Sequence, residues 1–156
     1  MMLVTYPALF YFDDSEDIKF YVHFPDFENS ATQGRDITEA MQMASDWLGT
    51  MLSSLIESGE ALPTPTLINT LSLVDDDPFK EDVDFEHTYN LERSFVSMVA
   101  VDVNRYLSDM TPIKKTLTIP KWADTAGKKL RLNFSQTLTE AIATIVARQK
   151  LVDVER

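Results

Sequence analysis

"DITEAMQMASDWLGTMLSSLIESG", Asp36 to Gly59, is the stretch on which the fold turns. Ile37, Ala40, Met41, Ala44, Trp47, Leu48, Met51, Leu55 and Ile56 recur at helical spacing and make one broad apolar face. Asp36 is an N-cap residue, and Glu39, three positions on, completes a capping box. Gly59 supplies a left-handed C′ residue, and Pro63 and Pro65 forbid continuation. These signals predict a helix from Ile37 to Ser58, about 33 Å long at 1.5 Å per residue, enough to cross a small sheet.

On the N-terminal side, "LVTYPALFYFDDSEDIKFYVHFPDF" predicts two strands, Tyr6–Phe12 and Lys19–Phe24. In the second, Phe20, Val22 and Phe24 alternate with Lys19, Tyr21 and His23, the period of a half-buried strand. Asp13 to Asp17 forms a polar connection of hairpin length, and Pro25 ends the second strand. "SATQGRD" has room for a brief strand at Ala31–Gln33 and a turn at Gly34. Beyond the helix, residues 64–94 are acidic and lack a clear period, so a solvated loop is expected there. "FVSMVAVDV", Phe95–Val103, is a continuous apolar strand. The sum is an α+β layer, one long helix on a sheet of three or four strands.

Charge divides the chain at Thr111-Pro112. Residues 1–113 carry 5 Lys+Arg against 21 Asp+Glu, a net of −16. Residues 114–150 carry 8 against 2, a net of +6, and the last six residues add −1 to reach the overall −11. Such asymmetry points to a polyanionic partner for the basic part. No cysteine is present, which excludes disulfides and thiolate zinc sites and fits a reducing compartment. No apolar run approaches a membrane span and "MMLVTYPALFYFDD" lacks the features of a signal peptide, so a cytoplasmic protein is expected.

Within the basic part, "KKTLTIP" alternates: Lys115, Leu117 and Ile119 point one way, Lys114, Thr116 and Thr118 the other. Pro120 stops this strand and opens a helix, "KWADTAGKKL", with Trp122 and Ala126 on one face. A second helix is expected in "NFSQTLTEAIATIVARQ", capped by Ser135 and buried along Leu138, Ile142, Ile145 and Val146. A lone strand has unpaired edges, and pairing with its copy in a second chain makes a two-stranded ribbon that fits the DNA major groove. Lys114, Thr116 and Thr118 are then the candidate base readers, while Asn133, Ser135 and the first amides of the second helix are candidates to hold a phosphate.

"FPDF", "TQG" and the capped helix, together with "TIPKWAD…NFSQTLTEA", resemble the HicB antitoxins of bacterial HicA–HicB toxin–antitoxin pairs over nearly all of the chain except Thr64–Ser94. The resemblance implies a partial ribonuclease-H-like domain at residues 1–110 that inactivates a small, basic, RNA-cleaving HicA-type toxin. It also implies a ribbon-helix-helix module at 113–150 that dimerises, binds operator DNA and represses its own operon. Thr116 and Thr118 sit where ribbon-helix-helix proteins place base-reading side chains, with Lys114 at the outer such position.

Two other readings are weighed against this one. The first is a ribbon-helix-helix regulator whose N-terminal domain senses a ligand. The second is a ribonuclease-H-type nuclease, which needs carboxylates converging on two metal ions about 4 Å apart. Asp13 or Asp14, Glu39 and Asp102 offer a superficial set, each with a plainer role as turn, capping-box or N-cap residue. His23 and His87 stand too far apart in sequence to suggest a pair, and Asp75–Glu86 fails as a calcium loop because Phe79 and Lys80 fall where a ligand and the turn glycine belong. No enzyme, cofactor or metal is expected. The acidic run is instead expected to complement a basic toxin.

Overall fold

The computed structural model describes the backbone of residues 1–153 and the side chains of residues 1–148; Lys150, the last cation of the basic stretch, lies outside the described side chains. Helix α1 spans Ile37–Glu57 and ends one residue before the expected Ser58. Asp36 is extended, and its carboxylate accepts the Glu39 N–H at 2.8 Å. The reciprocal bond lands one residue earlier than the capping box requires. Glu39 accepts from the backbone N–H of Arg35 at 2.6 Å, and both its oxygens accept from the Arg35 guanidinium at 3.0 Å. At the other end Gly59 takes φ +74°. The Gly59 N–H then reaches Ile56 O and the Glu60 N–H reaches Leu55 O, closing two orphan carbonyls. Ala40, Ala44, Leu48 and Leu52 form the fully buried line of α1, flanked by Met41, Trp47, Met51, Leu55 and Ile56. Ile37, at the helix mouth, is 55% exposed and leaves the expected face.

The sheet has the order β3-β2-β1-β4, all antiparallel neighbours: β1 Leu3–Phe12, β2 Phe20–His23, β3 Thr32–Gly34 and β4 Phe95–Asp102. β1 begins before the expected Tyr6 because Leu3–Thr5 pair with Ala100–Asp102. Its alternation sorts two buried sets. Val4, Tyr6, Ala8, Phe10 and Phe12 join the α1 core, where Phe24 stacks on Trp47 at 5.2 Å and Tyr6 meets Phe27 edge-on at 4.9 Å. Gly34 ends β3 against the first turn of α1; a Cβ there would stand 2.3 Å from the Ala40 backbone nitrogen.

Pro7, Leu9 and Tyr11 face the other way and are equally buried. The cover is the irregular segment after α1, a largely solvated loop as expected, but one that is tied to the sheet. Its only helical turn among the described residues is Ile68–Thr70, yet it is tied down at many points. The Tyr11 hydroxyl donates to Leu73 O at 2.7 Å, and the Tyr6 hydroxyl to Pro63 O at 2.6 Å. Thr66 gives its N–H and hydroxyl to Asp26, at 3.0 and 2.5 Å. Tyr11 packs on Tyr89, Tyr21 on Phe79, and Phe79 stacks on Phe85 at 4.3 Å. The segment rejoins the sheet where the Asn90 N–H reaches Phe12 O and the Phe12 N–H reaches Ser94 Oγ. The result is helix, sheet and an irregular aromatic layer.

After β4, Asp102 caps a 3-10 turn, Val103–Arg105. Tyr106 then lies on α1, where a Cβ at Gly49 would meet its ring at 2.4 Å, and its hydroxyl donates to Asp46 at 2.6 Å. Glu57 at the end of α1 accepts from the Ser108 and Asp109 amides, which hold its carboxyl below the usual range.

Residues 107–119 carry no regular secondary structure. The expected strand at Lys114–Pro120 does not form within the single chain, because a strand needs a hydrogen-bonded neighbour and none of the four sheet strands reaches it. α2 spans Lys121–Lys129 and α3 Phe134–Asp153. Asn133 caps α3 by accepting the Gln136 N–H at 3.1 Å, so the cap lies two residues before the expected Ser135. Leu138, Ile142 and Ile145 are 37%, 53% and 61% exposed, against the expected buried stripe. Ala143 is the α3 residue that enters the core cluster, with Val146 and Ala147 beside it.

Candidate functional site

Two regions carry unspent chemistry. The first is the basic C-terminal part. Its two helices are set by the turn between them, where the Arg131 N–H donates to Lys128 O and the Leu132 N–H to Gly127 O. This is the double closure that usually has glycine at its left-handed position, but Arg131 holds it with φ +55°. The Phe134 ring lies against Gly127, where a Cβ would stand 2.4 Å from it. Lys128 is paired with Asp124 at 2.8 Å, while Lys114, Lys115, Lys121, Lys129 and Arg131 have no ion-pair partner among the described residues.

The expected site residues all lie on the surface. Lys114, Thr116 and Thr118 are exposed and make no hydrogen bond among the described residues. Asn133 and Ser135 are also exposed. Asn133 spends its side-chain oxygen on the Gln136 amide, whereas the Ser135 hydroxyl makes no hydrogen bond among the described residues. Asn133 and Ser135 are brought together by the start of α3, while the Lys114–Thr118 set belongs to the segment without regular structure.

The second region lies where the β1–β2 turn meets the irregular layer, an open cleft of about 620 Å³. Glu16, Asp17 and Glu86 supply exposed carboxylates there, beside Tyr21 and Tyr89. Asp13 at its edge is spent on structure. It accepts from the amide and hydroxyl of Ser15 and from the Thr88 hydroxyl, bonds that pull its carboxyl below the usual range. Sequence reading missed this cleft because its walls are brought together over 75 residues.

The superficial nuclease set is occupied otherwise. Asp14 pairs with Lys19 at 2.7 Å, Glu39 holds Arg35, and Asp102 accepts from the Met2 and Asn104 amides. No group of three or more His, Asp or Glu placed to hold a metal ion occurs among the described residues. His23 bonds Ser30, and His87 pairs with Asp77 at 3.2 Å, so the two histidines serve different neighbours. Asp76 and Asp77 are likewise used within the acidic segment, Asp76 on the Ser72 amide and Asp77 on the Phe79 amide. No helix among the described residues is long and apolar enough to cross a membrane.

Comparison with known proteins gives consistent likenesses. Residues 5–74 match the model of a HicB-like antitoxin of bacterial toxin–antitoxin systems. A chain of a toxin–antitoxin complex from Streptococcus pneumoniae is 62% identical, with 92% of this chain and 99% of that one covered and a TM-score of 0.68. The antitoxin HicB of Burkholderia pseudomallei is 20% identical over 90% of this chain and 96% of its own, at a TM-score of 0.46. No curated protein sequence matches significantly.

Proposed function

We propose that this chain, which belongs to the HicB-like antitoxin family of bacterial toxin–antitoxin systems, neutralises a small RNA-cleaving toxin of the HicA type and represses its own operon. In this reading residues 1–110, a partial ribonuclease-H-like unit without catalysis of its own, hold the toxin. Residues 113–150 form a ribbon-helix-helix module that pairs with a second copy and binds operator DNA. The observation that carries the proposal is the 62% identity, over 92% of the chain, to a chain of a toxin–antitoxin complex.

The charge split supports both halves of the reading. A unit of net −16 attracts a basic protein and a stretch of net +6 attracts phosphate, by the same long-range field. Exposure supports the pairing. Leu117, Ile119, Trp122, Leu138, Ile142 and Ile145 are all bared in the single chain, and a second copy would cover such a surface while giving the Lys114–Pro120 strand its missing neighbour. On the resulting ribbon Lys114, Thr116 and Thr118 would face the bases, with Ser135 and the Asn133-capped start of α3 at the phosphates.

The test is co-expression with a candidate HicA-type toxin encoded beside this chain's gene, should one be found there, followed by co-purification, RNA cleavage and operator binding. The chain is expected to abolish cleavage at equal stoichiometry and to bind its own promoter DNA ahead of random DNA. Continued RNA cleavage with excess chain present would end the antitoxin reading, and equal affinity for both DNAs would end the repressor reading.

A further inference from the structure

The outer edge of β4 is the longest open edge of the sheet, and its backbone can be read group by group. The Phe12 N–H points to Ser94 Oγ and Phe12 O accepts from Asn90, so the even-numbered residues of β1 turn their hydrogen-bonding groups towards β4. Their partners in the register are Phe95, Ser97, Val99 and Val101. Val96, Met98 and Ala100 therefore aim their N–H and C=O groups away from β1. None of these three amides has an acceptor among the described residues; of the carbonyls, Ala100 O accepts from Ser45 Oγ at 3.0 Å and Met98 O from the neighbouring Ser97 hydroxyl.

The edge also lacks the devices that keep edges apart. From Phe95 to Val101 there is no proline and no charged side chain. Met98 and Ala100 are exposed, and Leu3, on the same face, is 55% exposed, so an apolar strip runs beside the open backbone.

We infer that β4 pairs antiparallel with β4 of a second copy, joining two four-stranded sheets into one continuous sheet. A twofold axis at Met98 sets Met98 against its own copy and Val96 against Ala100 of the partner. Three outward amides per strand then give six cross-edge donors, each facing an outward carbonyl. A second copy fits because the strand is complementary to itself. No like charges oppose each other along the paired stretch, and Asp102 falls opposite Ser94 of the partner, next to its Arg93. This contact is separate from the proposed pairing of the basic modules and needs neither toxin nor DNA.

The absence of cysteine makes the test direct. In the full-length chain, Met98→Cys places two thiols across the twofold, at a Cα separation of roughly 5.5 Å that a disulfide can span. Under mild oxidation it is expected to form a covalent dimer about tenfold faster than Val83→Cys, whose residue is 95% exposed on the acidic segment. Adding Ala100→Lys, a surface change that leaves the sheet's own bonds intact, is expected to remove that advantage with far-ultraviolet circular dichroism unchanged. Equal crosslinking rates for the two cysteine variants overturn the inference. So does alkylation of the Met98→Cys thiol that is blocked only when toxin is present, which would assign the edge to the toxin instead.

Discussion

Arg131 shows how a single residue records two demands. Its φ of +55° completes the turn between α2 and α3, a conformation that glycine adopts freely and that costs other residues about 1 kcal/mol or more. Its guanidinium is exposed and has no ion-pair partner among the described residues, so none of those contacts offsets the strain. Arg131→Gly is expected to stabilise the chain by about 0.5–1 kcal/mol in chemical denaturation. If Arg131 contacts a phosphate of the operator, the same variant weakens binding uniformly across DNA sequences and lowers the salt slope by about 1. Unchanged stability would mean that the strain relieved at the turn is no larger than the unfolded-state entropy that glycine adds. Tyr11 makes a second residue-scale case. Burial, chiefly, and the charge of Asp77 push its hydroxyl, like that of Tyr89, well above the ordinary tyrosine value. The unfolded phenols ionise near pH 10 while the folded ones keep their protons, so stability is full below that pH and falls as pH rises beyond it. Tyr11→Phe loses the bond to Leu73 O, about 1 kcal/mol at pH 7, but is expected to show a shallower alkaline decline. Parallel denaturant curves at pH 7 and pH 11 check both signs, and an unchanged alkaline slope would refute this account of Tyr11.

At the scale of elements, what could be read in advance followed from periodicity. α1 and β2 announce themselves through regular spacing, β1 and β4 through apolar runs and β3 only through the room left for it, and the structure moves their ends by only a few residues. The layer over the second face of the sheet could not be read this way. Phe79, Phe85 and Tyr89 are spaced irregularly, and their order comes from Tyr11 and Tyr21, far away in sequence. The continuous burial of β1 did hold a clue, since a strand apolar on both faces needs two covers. α3 misled in the opposite sense. Its stripe is apolar at helical spacing, yet Leu138, Ile142 and Ile145 stay exposed in the single chain, because periodicity marks a face without supplying the partner that the proposed second copy would be. The polar tie at Asp26 tests how the irregular layer is held. Asp26→Ala removes the acceptor for two Thr66 donors and is expected to cost about 2 kcal/mol, with faster proteolysis between residues 64 and 94. An unshifted denaturation midpoint would assign the anchoring to the aromatic contacts alone.

For the whole molecule the governing quantity is the division of charge. The acid is not all free to meet a partner: Asp13, Asp76 and Asp77 are consumed by neighbouring amides and hydroxyls, and Glu39 and Glu57 hold the two ends of α1 in place. A test of electrostatic capture must therefore spare these groups, because removing them would damage the fold and slow association for the wrong reason. Asp75, Glu81 and Glu86 are exposed, and their carboxylates accept no hydrogen bond among the described residues. Converting all three to amides changes the net charge by +3 while leaving the ties of the irregular layer intact. If the acidic layer steers a basic toxin, the triple variant associates more slowly at low salt, by roughly three- to tenfold, and the difference vanishes as ionic strength approaches 1 M, where the screening length is about 3 Å. In that case dissociation is expected to change little, as for rim charges that act on encounter. The proposed operator binding supplies the internal control. Lys114→Ala or Thr116→Ala is expected to weaken it by about 1–3 kcal/mol if a base contact is lost, with toxin association untouched, and the acidic triple variant is expected to leave it unchanged. Stopped-flow association across a salt series decides the matter: a triple variant as fast as wild type at low salt would show that these three carboxylates do not guide the toxin in.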